Sequence, residues 1–148
     1  MPQKWNGSAV FMAFLLFLSI PYKGWSQHKL PEPTVFYDSV RALGFRNHLV
    51  IYQLAMWESA NLRAQMAKER ANLFGLRARS GYMRFDSWMH CLRYMKNLEE
   101  RRYAAYPNKA KNDYYDFIAW WGYNTGRSYD PREFGFVRLI QKVPPPVH

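Results

Sequence analysis

The sequence is poor in the residues that thiol, disulfide and serine-hydrolase chemistry require. It has 148 residues and one cysteine, so no internal disulfide can form. Cys91 lies in the apolar pattern of a predicted helix, with its neighbour His90 about 100° away around the axis, and we interpret it as a core residue. The sequence has no Gly-x-Ser-x-Gly elbow, no glycine-rich phosphate loop and no internal repeat. These absences count against serine hydrolases, thiol hydrolases and P-loop enzymes.

Metal-ligand spacing is also missing. The sequence has no His-x-x-x-His or Cys-x-x-Cys pair, and its four histidines are far apart in the chain: His28, His48, His90 and His148. Isolated histidines are more often packing or surface residues than ligands. We therefore expect no bound metal and no cofactor.

An apolar stretch of twelve residues, 9–20, is shorter than the roughly 20 residues that a membrane-spanning helix needs. Lys4 precedes the stretch, and small residues occupy the −3 and −1 positions before Gln27, which is typical of a secretory signal peptide. The sequence therefore predicts a signal peptide at residues 1–26 and a secreted or periplasmic protein, without stable membrane insertion after cleavage. An uncleaved anchor is the alternative.

The composition is that of a single folded domain. Apolar residues make up 49% of the chain and aromatic residues 18%, which is enough for one core at this length. We predict an extended lead-in at residues 27–33, a domain at residues 34–143 and a proline-rich tail at residues 144–148. The domain is predicted to be mainly α, with about six helices and a small β-hairpin.

Capping and turn signals locate the first elements. Residues 35–43 are predicted to form a helix that Gly44 ends, and Asn47 is predicted to cap the next helix. A short helix is expected through residues 62–69. Turn residues within residues 72–85 indicate a hairpin.

Three further caps are predicted in the second half of the chain. Asp86 or Ser87 begins a long helix, and Asn112 begins a shorter one. Asp130 is followed by proline at the first helical position, and Glu133 stands at the position of a capping-box glutamate. We therefore expect the Glu133 side chain to close the start of the last helix.

Glu58 interrupts an otherwise apolar helical stripe. The apolar residues on its face, read at helical spacing, are Ile51, Leu54, Ala55 and Leu62. Glu58 should therefore be largely buried, and a desolvated glutamate tends to hold its proton near neutral pH, as a general acid must. The alternative is a helix-end glutamate that reaches water or pairs with Arg63 or Arg70.

Four motifs follow one another along the chain. They are residues 53–62 (QLAMWESANL), residues 70–76 (RANLFGL), residues 82–88 (YMRFDSW), and Gly122-Tyr123 with Asp130-Pro131 and Phe134. Together they resemble the glucosaminidase domain of bacterial autolysins and flagellar-rod hydrolases, glycoside hydrolase family 73. In that family an apolar helix ends in Glu-Ser or Glu-Thr, and Asn-Leu-Phe-Gly leads into the cleft. The resemblance covers roughly residues 45–143, with extra residues inside the last motif.

The resemblance implies a lysozyme-like α fold with the hairpin beside the cleft. It implies that Glu58 protonates the glycosidic oxygen of peptidoglycan. Tyr123 matches a tyrosine near the catalytic glutamate, where it would orient water or the substrate's N-acetyl group. Asn72 matches an asparagine of the substrate cleft, whose side chain fixes the loop under that cleft.

Charge and aromatic content are consistent with a glycan partner. Lys and Arg number 21 against 11 Asp and Glu, a net charge of +10, which favours polyanions. Nucleic acid is the usual partner of such a chain, but export argues against it. Peptidoglycan strands offer both carboxylates and apolar sugar faces, so we expect a monomer that binds them. Trp57, Trp120 and Trp121 are candidate sugar-binding residues, although adjacent tryptophans on a helix cannot all face one groove.

The sequence departs from fuller members of the family in one respect. Their hairpin carries a second carboxylate, whereas residues 76–85 contain no Asp or Glu. Three interpretations stay open: assistance by the substrate's N-acetyl group, a water held by Glu58 and Tyr123, or an inactive glycan-binding relative. The bond that is cut, glucosaminidase or muramidase, and the retaining or inverting outcome also stay open.

Overall fold

The computed structural model describes residues 28–147. Its helices are α1 Pro33–Ala42, α2 His48–Glu58, α3 Gln65–Arg70, α4 Trp88–Ala105, α5 Tyr114–Trp121 and α6 Pro131–Ile140, and its strands are β1 Arg77–Ala78 and β2 Gly81–Tyr82. The predicted fold, mainly α with about six helices and a small hairpin, is confirmed. The predicted signal peptide lies outside the described residues. None of the helices between residues 28 and 147 is long and apolar enough to cross a membrane.

Helix α2 lies at the centre of the domain, because every residue from 50 to 56 is buried. Asn47 caps it as predicted, and its side chain accepts a hydrogen bond from the first turn at 3.1 Å. The buried Gln53 amide donates to the Val143 carbonyl at 2.9 Å and accepts from the Tyr115 hydroxyl at 2.7 Å. These two bonds tie α5 and the segment after α6 to the helix that ends in Glu58.

The chain reverses sharply after α2. Residues 60–62 all have left-handed φ angles, between 50° and 63°. Helix α3 therefore begins at Gln65, later than the predicted start at Leu62. The hairpin lies within the predicted segment, and Arg77 pairs with Tyr82 across it.

The cap of α4 agrees with the prediction, whereas the cap of α5 differs from it. Ser87 caps α4, and its hydroxyl accepts from the His90 amide at 3.1 Å. The prediction of Asn112 as the cap of α5 is wrong, because Asn112 ends a short 3₁₀ turn with φ 51°. Asp113 caps α5 instead, through hydrogen bonds from two backbone amides at 2.9 and 3.1 Å.

The start of α6 differs from the predicted capping box. Asp130 caps the helix as predicted, accepting from the Arg132 amide at 2.9 Å. The Glu133 side chain does not return to Asp130. It turns inward, is fully buried, and accepts from the Thr125 amide in the loop before the helix. The prediction for Glu133 is wrong because this loop, which the local pattern does not describe, supplies the donor.

Candidate active site

Glu58 is the last residue of α2 and lines an open cavity of about 560 Å³. The other walls come from the hairpin, from α3 through Met66, and from the end of α5 with residues 123–126. Among the described residues that line this cavity, Glu58 alone carries a carboxylate. The cavity therefore has a single acidic side chain. The rest of its lining consists of apolar, aromatic, uncharged polar and basic residues.

Ser59 fixes the end of the helix and hence the direction of Glu58. Its buried hydroxyl donates to the Ala55 carbonyl at 2.6 Å and accepts from the Leu62 amide at 2.9 Å. The first bond satisfies a carbonyl of the last turn, and the second holds the left-handed reversal at residues 60–62. The Glu-Ser pair thus ends α2 with the carboxylate side chain at the cavity wall.

Gly75 lies directly against the Glu58 carboxylate. A Cβ at residue 75 would stand 2.7 Å from Glu58 Oε2, closer than side chains tolerate. The residue also has φ +60°, a left-handed value that favours glycine. The left-handed backbone therefore favours glycine at this position, and a Cβ there would push the Glu58 carboxyl aside.

Asn72 braces the loop that carries Gly75. Its buried amide nitrogen donates to the Leu76 carbonyl at 2.8 Å and the Met83 carbonyl at 3.0 Å, and its oxygen accepts from the Leu76 amide at 2.9 Å. These bonds join the loop to the segment that follows β2. Asn72 lies outside the cavity lining, so its contact with the site is through the loop.

Tyr123 lines the cavity close to Glu58. Its hydroxyl donates to the Phe74 carbonyl, and its ring stacks on Phe136 with the centroids 6.1 Å apart. Burial, followed by the charges of Glu58 and Cys91, raises the pKa of the Tyr123 phenol well above its usual value. The phenol therefore keeps its proton, and because that proton is bonded to Phe74, its oxygen is left to accept hydrogen bonds from other groups.

The electrostatic setting favours a protonated Glu58. Burial raises the pKa of its carboxyl from 4.5 to about 7, and the negative charge of Glu133 adds to the rise. Glu58 is also the C-terminal residue of α2, where the helix dipole disfavours negative charge. Among the ion pairs of residues 28–147, none joins Glu58 to Arg63.

The three predicted sugar-binding tryptophans lie in different places. Trp121 lines the Glu58 cavity and is 9% exposed. Trp120 packs on the Tyr106 ring at 5.3 Å and does not line the cavity. Trp57 is 43% exposed and lines a separate depression of about 390 Å³ with Leu139 and Val143. The structure thus brings Glu58 together with Trp121 but with neither of the other two tryptophans.

Several residues of the site were not singled out from the sequence. The Arg77 guanidinium lies over the Tyr82 ring, 4.6 Å from its centroid, at the hairpin wall. Thr125 lines the cavity while its amide is bonded to Glu133 behind it. No sequence signal marks this loop contact, because the two residues belong to different elements.

Over residues 28–147, no group of three His, Cys, Asp or Glu side chains is placed to hold a metal.

No protein-family model matches the chain, and comparison with curated proteins and with solved structures gives no match either. The resemblance to glucosaminidases therefore depends on the four motifs. The structure adds physical roles for three residues of those motifs: Ser59 ends the helix, Asn72 braces the loop, and Gly75 admits the carboxylate.

Proposed function

We propose that the protein is an exported peptidoglycan hydrolase that cuts the glycan strand with Glu58 as the general acid. One observation carries the proposal: a carboxyl with a pKa of about 7 lies at the end of a buried helix and faces an open cavity. A glycosidic oxygen leaves poorly until it is protonated. An acid with a pKa near the working pH both holds a proton and releases it readily.

The cavity suits a sugar ring beside this acid. Its volume of about 560 Å³ lies within the usual range of ligand sites, and aromatic surface from Trp121 and Tyr123 offers apolar contact to sugar faces. Arg77, stacked on Tyr82 at one wall, offers a positive charge to the carboxylates of the stem peptides. The net charge of +10 favours the same polyanionic polymer.

Substrate assistance accounts for the missing second carboxylate. In this route the acetamido oxygen of the substrate attacks the anomeric carbon while Glu58 protonates the leaving oxygen, and water later opens the cyclic intermediate. The acetamido N–H then needs an acceptor that holds it in line. The Tyr123 oxygen fits this role, since its own proton is bonded to the Phe74 carbonyl.

The test compares the parent protein with Glu58→Gln and with Glu32→Gln, a matched control at an exposed position. Each is incubated with isolated peptidoglycan, and the released fragments are reduced and identified by mass spectrometry. Fragments with reduced N-acetylglucosamine ends are expected from the parent and from Glu32→Gln, and none from Glu58→Gln. Reduced N-acetylmuramic acid ends would instead assign a muramidase. Equal release by all three proteins would refute the role of Glu58.

A non-catalytic peptidoglycan-binding module is the second candidate. It is favoured by the absence of a second carboxylate from the described cavity lining, where the hairpin instead presents Arg77. A parent protein that sediments with peptidoglycan but releases no fragment would select this candidate. Binding by Glu58→Gln would then equal that of the parent.

A further inference from the structure

The described part of the chain has two fully buried glutamates, and they are satisfied to different degrees. The Glu99 carboxylate accepts from the Arg46 amide at 3.1 Å, from the Tyr114 hydroxyl at 2.6 Å and from the Lys96 ammonium at 2.9 Å. Glu133 accepts through Oε1 from the Thr125 amide, whereas its buried Oε2 has no hydrogen-bond partner. An unsatisfied buried carboxylate oxygen costs stability, and such costs concentrate at functional sites.

Glu133 lies directly behind the wall of the Glu58 cavity. It accepts a hydrogen bond from the backbone amide of Thr125, and Thr125 is one of the residues that line that cavity. Phe136, about one helical turn further along α6, stacks on the ring of Tyr123, which also lines it. The first turns of α6 thus support residues 123–126 from the side opposite to the substrate.

We propose that Glu133 is a positioning residue of the Glu58 site: it anchors the 123–126 wall through Thr125 and presents a second, buried carboxylate to Glu58. Its catalytic meaning rests on the proposed function, but the arrangement can be tested without activity. The charge of the buried Glu133 adds to the effect of burial in raising the pKa of Glu58, so Glu133 helps Glu58 to keep its proton. Glu133 is fully buried, so it acts through Glu58 and not by touching substrate.

Other titratable or charged groups lie near this pair. They include Arg77 and Tyr82 of the hairpin, Tyr123 of the loop, Cys91 of α4 and Arg132 of α6. Arg70 of α3 donates to the Tyr82 carbonyl at 3.1 Å. Burial raises the pKa of the Cys91 thiol to about 12, so the thiol is neutral. Arg132 is held by Asp130 through its own side chain, with Nε 3.0 Å from the carboxylate. Helix α3 contributes the uncharged Met66 to the cavity.

The test is a carboxyl titration by NMR of the full protein with ¹³C-labelled glutamate. Glu58→Gln identifies the Glu58 resonance by its loss. Glu133→Gln keeps an oxygen for the Thr125 amide but removes the charge, and Glu32→Gln removes the same charge at an exposed site. The Glu58 midpoint should fall by roughly one pH unit in Glu133→Gln and stay unchanged in Glu32→Gln. An unchanged midpoint in Glu133→Gln would overturn the proposal.

A second measurement needs no change at residue 133. In the parent protein the Glu133 resonance should show a step at the Glu58 midpoint, and this step should vanish in Glu58→Gln. A Glu133 resonance that does not respond to Glu58 would also overturn the proposal, even if Glu133→Gln failed to fold.

Wall digestion separates this proposal from the proposed function. If the parent cuts peptidoglycan, the alkaline limb of its pH profile should move down with the Glu58 midpoint in Glu133→Gln, which a purely structural role would not cause. A midpoint that shifts in a protein without activity would support the carboxylate pair and contradict the hydrolase. If the parent digests peptidoglycan but neither the Glu58 midpoint nor the pH profile moves in Glu133→Gln, the result would support the hydrolase and contradict the carboxylate pair.

Discussion

Oε2 of Glu58 lies so close to Gly75 that a methyl group on residue 75 would stand 2.7 Å from it. The end of α2 and the loop that carries Gly75 are therefore in close contact at this carboxylate oxygen. Because Gly75 has no side chain, the carboxyl can lie against the loop backbone while one side remains open to the cavity. A glycine that reads as a turn residue in the sequence is thus part of the acid's binding surface.

Gly75→Ala should displace the Glu58 carboxyl as well as strain the backbone. Gly44→Ala is the matched control, because Gly44 has a similar φ of +66° but nothing within 4 Å of an added Cβ. Both variants should lose about 1–2 kcal/mol from the left-handed backbone, measured by urea unfolding. Gly75→Ala should lose more than Gly44→Ala, and it alone should lose wall digestion. Equal stability losses with equal activities would contradict the contact.

Ser59→Ala should loosen the end of α2. It removes a buried hydroxyl that makes two hydrogen bonds, so we expect a loss of about 1–3 kcal/mol in the free energy of unfolding. Ser39→Ala provides the comparison, because Ser39 makes the same type of bond to the Val35 carbonyl, at 2.9 Å, in an exposed part of α1. That control should change stability by less than about 0.5 kcal/mol. Similar losses in both variants would show that the two buried hydrogen bonds of Ser59 stabilise the fold no more than the exposed bond of Ser39.

Tyr123→Phe keeps the ring between its aromatic neighbours but removes the hydroxyl. We expect a stability loss of about 1 kcal/mol and, if the proposed mechanism holds, a fall in the rate of wall digestion of about tenfold, because the proposed acceptor for the acetamido group is lost. Tyr115→Phe also removes a hydroxyl with a partner, the Gln53 amide at 2.7 Å, away from the cavity. It should lose comparable stability and keep full activity. A Tyr123→Phe protein that digests walls at the parent rate would remove Tyr123 from the mechanism.

Glu58 should make the protein less stable as the pH rises. Its pKa is about 7 in the folded protein against 4.5 for an unperturbed carboxyl, so the folded state binds more protons between these values. The stability that protonated Glu58 provides is therefore complete below about pH 4.5 and lost as the pH rises through about 7. Glu58→Gln should gain up to roughly 3 kcal/mol over the parent across this window, with no further gain above pH 8. Urea unfolding at a series of pH values measures the difference, and Glu32→Gln should show no such trend.

Much of the fold could be predicted because its signals are local. Asn47, Ser87 and Asp130 all cap helices, and each is a polar residue placed just before an apolar periodic run. The apolar period around Glu58 likewise indicated a desolvated acid, and its raised pKa agrees with that expectation. These features depend on residues within a few positions of each other, so one sequence is enough to find them.

The rest of the site depends on contacts between distant segments. Glu133 stands at the position of a capping-box glutamate, where its side chain would accept a hydrogen bond from the Asp130 amide. In the structure it accepts from the Thr125 amide instead. The division of the tryptophans had the same cause: Trp120 and Trp121 are neighbours in sequence, and only packing decided that Trp121 lines the cavity. Helix periodicity indicates that adjacent residues face different directions, but it does not say which direction is the cleft.

The burial of α2 determines which parts of the site can move. Residues 50–56 are enclosed on all sides, so their amide protons should exchange with solvent only when the whole domain opens. Residues 126–129 are exposed but are tied to α5: the Gly126 amide donates to the Gly122 carbonyl at 2.6 Å, and the Tyr129 amide donates to the Ala119 carbonyl at 3.0 Å. If the protein binds a glycan strand as proposed, the strand would meet an acid fixed to the slowest-exchanging segment, beside a loop that is itself anchored to α5. Binding in the proposed site would then need little change of shape, and the direction of proton delivery would be set before the substrate arrives.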